Sequence, residues 1–426
     1  MENQDKKALF GWVMYDFANS AFTTLIVTFI YATYFTKAIA PNEIDGTILW
    51  SRGVTVSALA VALLSPLLGA LADRGGHRKR YLLFSTILAI LCSVMLYRPL
   101  PGQIMPALIW FVIGNIAFEI GCVFYNAFLP DIAPPEKIGR VSGIGWGLGY
   151  VGGLAAMFPA MVSLVNPELP WFGFSRELGQ NIRATNLLVA IWFGVFSLPL
   201  FLFVREKGAT VTSPSKDEQG TVFAELVSTF IEVRKYRQVV RLLVARLIYN
   251  DGLITIFAFG GIYAAGTFHF SFQEIMYFGI VLNITAGLGA FIFGFFDDRF
   301  GGKITVQVSL VGLIIASLLA VTTDSKTLFW LAGILVGIFS GPNQSASRSL
   351  LGRLVPKDKV SQFFGFFAFS GKFTAFLGPL LLGLLTELFA SQRAGMTIVI
   401  VFFVIGSLLL VFVDEEEGMA AAVQRQ

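Results

Sequence analysis

Twelve mostly apolar runs, each long enough to cross a bilayer, lie between residues 10 and 413 of this 426-residue chain. Crossing roughly 30 Å of hydrocarbon as a helix takes about 20 residues. Backbone amides in lipid must also find their partners within the chain, so the runs can only be helices or strands of a closed barrel. Their length selects helices. The approximate limits are 10–36, 48–72, 81–98, 104–129, 141–165, 184–204, 242–267, 273–296, 304–322, 327–347, 361–388 and 394–413. Composition supports an all-α membrane protein. Charged residues make up 14% of the chain, against about 25% in soluble domains, and they fall almost entirely between the runs.

One of those intervening stretches occurs twice. GALADRGGHRKR at Gly69–Arg80 follows the second run, and GFFDDRFGGK at Gly294–Lys303 follows the eighth. Asp73-Arg74 and Asp298-Arg299 are therefore counterparts, 225 residues apart. A second anchor comes from FLPDIAPPEKIGRVSG and LGRLVPKDKVSQFFG, where Pro134 meets Pro356 and Gly143 meets Gly365 at an offset of 222. Two anchors at nearly one offset indicate a duplication, six runs in each copy. The expected domains are a bundle at 1–204, a linker at 205–240, a second bundle at 241–413 and a tail at 414–426. The linker opens as REKGATVTSPSKDEQG, too polar to fold alone. From Thr221 it turns amphipathic, with Phe223, Leu226, Phe230 and Val233 at helical spacing, as in a helix lying at the membrane surface.

With the amino terminus inside, 22 of the 31 Lys and Arg fall in cytoplasmic stretches, so both termini are expected to be cytoplasmic. The positive charge is spread over many short loops, which argues against a nucleic-acid partner. Cys92 and Cys122 sit inside apolar runs and read as free thiols. His77 and His269 have no companions at metal-ligand spacing, and no metal or cofactor is expected. No nucleotide-binding loop or nucleophile–histidine pair is present, so catalytic residues are not expected and the chain does not read as an enzyme.

Six plus six helices with GxxxDR after the second and eighth runs resemble the major facilitator superfamily. Five longer strings resemble one branch, the family named for the fungal vacuolar (autophagy-related) amino-acid effluxer and its bacterial relatives. These are YDFANSAF at Tyr15–Phe22, FYNAFLPDIA at Phe124–Ala133, GIGWGLGYVGG at Gly143–Gly153, SASRSLLGRLVP at Ser345–Pro356 and FFGFFAFSGKFTAFLGP at Phe363–Pro379. The resemblance implies a twelve-helix secondary transporter, monomeric by the superfamily default, with amino-acid efflux as the best-known fungal activity. The fourth run carries Glu119 where drug exporters have an arginine, and the fifth lacks their Gly-Pro. Drug antiport is therefore not expected.

Two sets of residues carry the expected chemistry. The first is a cytoplasmic gate. Gly69 and Gly294 would let a neighbouring helix pack close, and Asp73 and Asp298 would accept hydrogen bonds at a facing helix amino terminus. Arg74, Arg78 and Arg299 would bridge to acids on other loops. The second set is ionisable or polar and lies within the runs, where a charge needs a partner or an aqueous cavity: Asp16, Glu119 with nearby Asn115, Arg246, Asp251 and Lys372. At about 1.5 Å per residue, Lys372 and Glu119 fall roughly 13–16 Å from the cytoplasmic edge, near the midplane. Acids in the first half and cations in the second suit a zwitterion, ammonium toward Asp16 or Glu119 and carboxylate toward Lys372 or Arg246. Asp251 reads alternatively as an ion-pair partner of Lys372. Glu119, then Asp16, are the candidates for proton coupling. The expectation is an alternating-access exporter of a small polar metabolite, amino acids first, in the plasma or inner membrane. A lipid or amphiphile flippase on the same fold is the alternative, and a non-transporting membrane sensor a more distant one.

Overall fold

The computed structural model describes residues 2–206, 231 and 233–424, and these are helical almost throughout. The polar linker and most of its amphipathic stretch fall outside the described residues. The helices are α1 (Glu2–Ala21), α2 (Glu43–Gly75), α3 (Arg78–Met95), α4 (Ile104–Ala127), α5 (Ile138–Pro159), α6 (Gln180–Phe203) and α7 (Arg237–Phe268). They continue as α8 (Phe272–Phe300), α9 (Gly302–Thr322), α10 (Lys326–Leu354), α11 (Val360–Lys372), α12 (Leu377–Phe389), α13 (Gln392–Val411) and α14 (Glu415–Gln424).

Helix occupies each of the apolar runs, and among the described residues ten helical stretches are long and apolar enough to cross a membrane. The two that fall short do so for local reasons. Helix α3 has 18 residues and opens with Arg78, Lys79 and Arg80. The second half of α10 carries Asn343, Gln344, Ser345, Ser347 and Arg348. The run expected to be continuous over 361–388 is broken. Helix α11 ends at Lys372 and α12 begins at Leu377, with Leu377 N donating to Thr374 O in the turn between them. Gly371, Gly378 and Pro379 cluster at this break, and a proline has no amide to continue the ladder.

The chain forms two compact units. The first comprises Met1–Leu64, His77–Phe128 and Leu148–Gly208; the second comprises Ser65–Gly76, Leu129–Gly147 and Ala209–Gln426. Helices α2 and α5 thus pass from one unit to the other in mid-helix. In α2 the passage is at Leu64-Ser65, beside Pro66, which removes a ladder bond. In α5 it is at Gly147-Leu148, inside the glycine-rich string.

Inside the first unit α1 packs on α6, and α3 packs on both α4 and α6. The second unit repeats this with α7 on α13, and α9 on both α10 and α13. The core of the first unit is aromatic. Trp12 and Tyr15 stack on Tyr125 with ring centroids 4.7 and 4.9 Å away, and Trp12 Nε1 donates to Tyr125 O at 3.0 Å. Small residues set the helix spacing, since a Cβ at Gly152 would lie 2.2 Å from Phe17 O.

That approach generates a prediction. Gly152→Ala must push α5 off α1, at a cost of about 1–3 kcal/mol, and should lower the melting temperature of the purified protein. Gly383→Ala, at a site with nothing within 4 Å, should leave it unchanged.

Candidate functional site

Two carboxylates in the second unit cap helices far away in sequence. Asp73, at the end of α2, accepts from Ser361 N at 3.1 Å and Gln362 N at 2.8 Å, in the first turn of α11. Asp298, near the end of α8, accepts from Gly139 N at 2.8 Å and Arg140 N at 3.2 Å, in the first turn of α5. Each amide pair would otherwise lack an intrahelical acceptor, and the dipole there favours an anion.

Glycines on both members make the approach possible. A Cβ on Gly69 would lie 2.3 Å from Ser361 O, and one on Gly365 2.3 Å from Ser65 O. A Cβ on Gly143 would lie 2.3 Å from Ala290 O, and one on Gly294 3.0 Å from Arg140 Cα. The duplicated motif thus builds the same joint twice, once from α2 and α11 and once from α8 and α5.

Among the arginines, Arg299 differs from the expectation. Arg299 is exposed and lies over the Phe300 ring, and it makes no ion pair among the described residues. Arg78 is buried and donates to Ala127 O at 3.1 Å, at the carboxyl end of α4. Arg74 is exposed at the end of α2. The cations that meet the α8 acids are instead Arg140, whose Nε is 2.5 Å from Asp298, and Arg353, whose Nη1 is 2.5 Å from Asp297. Arg353 also donates through Nε to Pro135 O at 3.3 Å. Asp297 is buried and accepts from the Ser349 hydroxyl as well. Sequence reading passed over Asp297, Arg353 and buried Arg348. Arg348 donates to the Ser142 hydroxyl at 2.9 Å and to Ser142 O at 2.7 Å. The available signal was a run of polar residues at the end of α10, too polar for a lipid-facing surface.

The intramembrane residues fall into two groups. In the first unit α1 and α4 run antiparallel, with contacts at Trp12–Tyr125, Asn19–Cys122 and Phe22–Phe118. Asp16 on α1 and Glu119 on α4 are half-buried, separated by roughly one helical turn in depth. Asn115 is buried and donates to the Ser57 hydroxyl at 2.8 Å, so it ties α4 to α2.

In the second unit Arg246 is buried on α7, with Nη1 donating to Phe367 O at 2.7 Å and to the Ser370 hydroxyl at 3.0 Å. Its guanidinium lies 3.6 Å from the Phe367 ring centroid. Asn250 donates to Gly371 O at 3.0 Å. Asp251 is 1% exposed; Oδ1 accepts from the Thr374 hydroxyl at 3.2 Å and Oδ2 has no hydrogen-bond partner. Its observed partner is therefore Thr374 rather than Lys372. Lys372 is half-buried at the last position of α11, beside the break. Arg246, Asn250 and Asp251 thus all bond to the stretch from Phe367 to Thr374, around that break. No group of acids, histidines or cysteines among the described residues is arranged to hold a metal ion.

The fold is that of the major facilitator superfamily. Its proton:xylose symporter XylE superposes with a TM-score of 0.74 at 14% identity, over 97% of this chain and 96% of that one. The chain itself belongs to the vacuole effluxer Atg22-like family, whose model matches residues 39–423. Among its relatives, the uncharacterized MFS-type transporter YxiO of Bacillus subtilis is 27% identical, over 97% of this chain and 96% of that protein. Autophagy-related protein 22 of Saccharomyces cerevisiae is 24% identical, over 78% of this chain and 70% of that protein. The molecule is a multi-pass membrane transporter, and its relatives are transporters rather than enzymes.

The caps provide a reporter. Ser361 is fully buried, so in a variant with Cys92→Ala and Cys122→Ser, Ser361→Cys should react slowly with a membrane-impermeant maleimide. Adding Asp73→Asn or Asp298→Asn should speed labelling about tenfold, since a charge-assisted hydrogen bond contributes about 1.5–3 kcal/mol.

Proposed function

We propose that the chain is a secondary active transporter that exports a small zwitterion, amino acids first, by alternating access. In this reading the capped joints form the inner gate, all twelve apolar runs cross the membrane and both termini are cytoplasmic. The protein acts as a monomer in the plasma or inner membrane. The short helix α3 counts as a crossing because its three basic residues all stand in the first turn and leave the rest of the helix uncharged. The family's description as an effluxer supports the direction of transport.

The observation that carries the substrate class is the sorting of intramembrane charge by unit. The first unit holds the half-buried acids Asp16 on α1 and Glu119 on α4, and the second holds half-buried Lys372 at a helix break. Opened helix ends at the membrane midplane are where transporters commonly hold charged solutes. Lys372 is the candidate partner for a substrate carboxylate, and Asp16 and Glu119 are the candidates for its ammonium. Arg246, whose Nη1 already donates to α11, would orient that helix instead. Asp16 and Glu119 are also the candidates for carrying a coupling proton.

The test is a thermal-shift screen of purified protein against amino acids, dipeptides and lysophospholipids, followed by efflux from loaded liposomes. Ligand that binds the folded state raises its apparent stability. Amino acids should raise the melting temperature of the wild type and not that of Lys372→Ala, and Glu119→Gln should abolish proton-gradient-driven efflux. A shift by lysophospholipids alone would replace the zwitterion with an amphiphile. An equal amino-acid shift in both proteins would make Lys372 structural.

A further inference from the structure

Both six-run copies close the start of their third helix with an acid that follows their last long one. In the first, Glu206 follows α6, and its carboxylate accepts from Lys79 N at 3.4 Å while Lys79 Nζ donates to Val204 O at 2.6 Å. In the second, Glu415 follows α13 and accepts from Gly302 N at 3.1 Å and Lys303 N at 2.9 Å, while Lys303 Nζ donates to Val411 O at 3.0 Å. The staple is the same. The second copy is connected further.

Glu415 Oε1 lies 3.4 Å from Arg353 Nη1, the nitrogen that also holds Asp297 Oδ1 at 2.5 Å. Arg353 Nη2 is 3.8 Å from Asp298, the acid that caps α5, and Arg353 Nε donates to Pro135 O just before α5. One guanidinium therefore touches the tail, both α8 acids and the segment that leads into the capped helix. The side chains of Arg353 and Glu415 are 5% and 13% exposed. In the first copy the positions matching Asp297 and Arg353, at offsets of 225 and 222, are Ala72 and Asp131. The first copy thus lacks both the extra acid and the arginine.

The tail helix is docked as well as tethered. Gln238 Nε2 donates to Glu417 Oε2 at 2.5 Å, and Asp414 N donates to Gln238 Oε1 at 2.9 Å. Gly418 faces Leu354, one residue beyond Arg353, and Ala422 is 4% exposed.

We propose that α14 is a working part of the inner gate, and that Glu415 is a positioning residue that holds Arg353 in its gate-closing pose. A guanidinium presents its donors in a rigid planar fork, so fixing Nη1 also fixes where Nε and Nη2 point. Glu415 is itself fixed by two backbone amides of α9, and it aims the fork at Asp297, Asp298 and Pro135 O together. Undocking the tail releases that aim and loosens the cap on α5. This proposal rests on the reading of the capped joints as a gate.

The experiment uses the Ser361→Cys reporter in the full chain, with four further variants. Glu415→Gln breaks the link to Arg353. Ala422→Glu undocks α14 without touching Glu415 or Arg353. Glu416→Gln changes an exposed neighbouring acid, and Glu415→Asp keeps the charge. Glu415→Gln and Ala422→Glu should each raise the maleimide labelling rate about fivefold, the effect of losing about 1 kcal/mol. Glu416→Gln should leave the rate at the parent value, and Glu415→Asp should restore most of the protection. Parent-level labelling in both Glu415→Gln and Ala422→Glu, while Asp298→Asn labels fast, overturns the proposal and leaves the gate intact. A lowered melting temperature without faster labelling makes Glu415 a structural staple only, and also overturns it. If Asp298→Asn itself fails to speed labelling, the gate reading falls, and this proposal falls with it.

Discussion

The first amides of a helix have no acceptor within that helix, and a helix packed against others near the membrane cannot always turn to water for one. Helices α5 and α11 meet this constraint with carboxylates from distant parts of the chain, Asp298 and Asp73. A side chain as short as aspartate reaches another helix's backbone only if the two backbones nearly touch. Gly69, Gly365, Gly143 and Gly294 are the positions where they do. Removing the glycines would leave the acids without their amides, and removing the acids would leave buried amides without acceptors. The joint is a single device made of both. It is also confined to a few polar bonds at helix ends.

The duplicated joints carry unequal additions. At the α8–α5 joint Asp297, Arg140, Arg353 and Glu415 surround Asp298, and the tail helix is attached through Gln238 and Leu354. At the α2–α11 joint the position of Asp297 is an alanine. Duplicated halves keep the geometry that packing demands and diverge where additional side chains can be recruited. The conserved part of that geometry is the joint itself, and the wiring around Arg353 is the particular part. Within the membrane, Arg246, Asn250 and Asp251 fasten α7 to the interrupted segment that carries Lys372, so the break is held in place by polar bonds.

Much of this was legible in the chain. Apolar runs of sufficient length can only be helices, and the twin GxxxDR strings located both joints and their capping acids. The role of the glycines beside Asp73 and Asp298 followed from the same strings. Less legible were the cations. Arg299 stands next to Asp298 in sequence, yet it points over Phe300, whereas Arg140 and Arg353 come from other elements. Sequence adjacency does not tell which charges meet across a helix end, because neighbours on a helix point about 100° apart. The break at 373–376 was hidden for a related reason, since glycine and proline within an apolar run mark either close packing or interruption.

The order of the spans, the duplication, the placement of charge within otherwise apolar segments and the family resemblance were all set by the one-dimensional pattern. Lipid imposes so strong a penalty on unpaired polar groups that length and hydropathy leave little choice of local structure. Tertiary structure alone decided which partners those charges found. It bonded Asp251 to Thr374, drew Arg246 onto α11 and buried Arg348 against Ser142. It also turned an unremarkable acidic tail into a helix whose first glutamate shares an arginine with the α8 acids. A hydrogen bond depends on positions to within a fraction of an ångström, and that precision arises only when distant helices have packed.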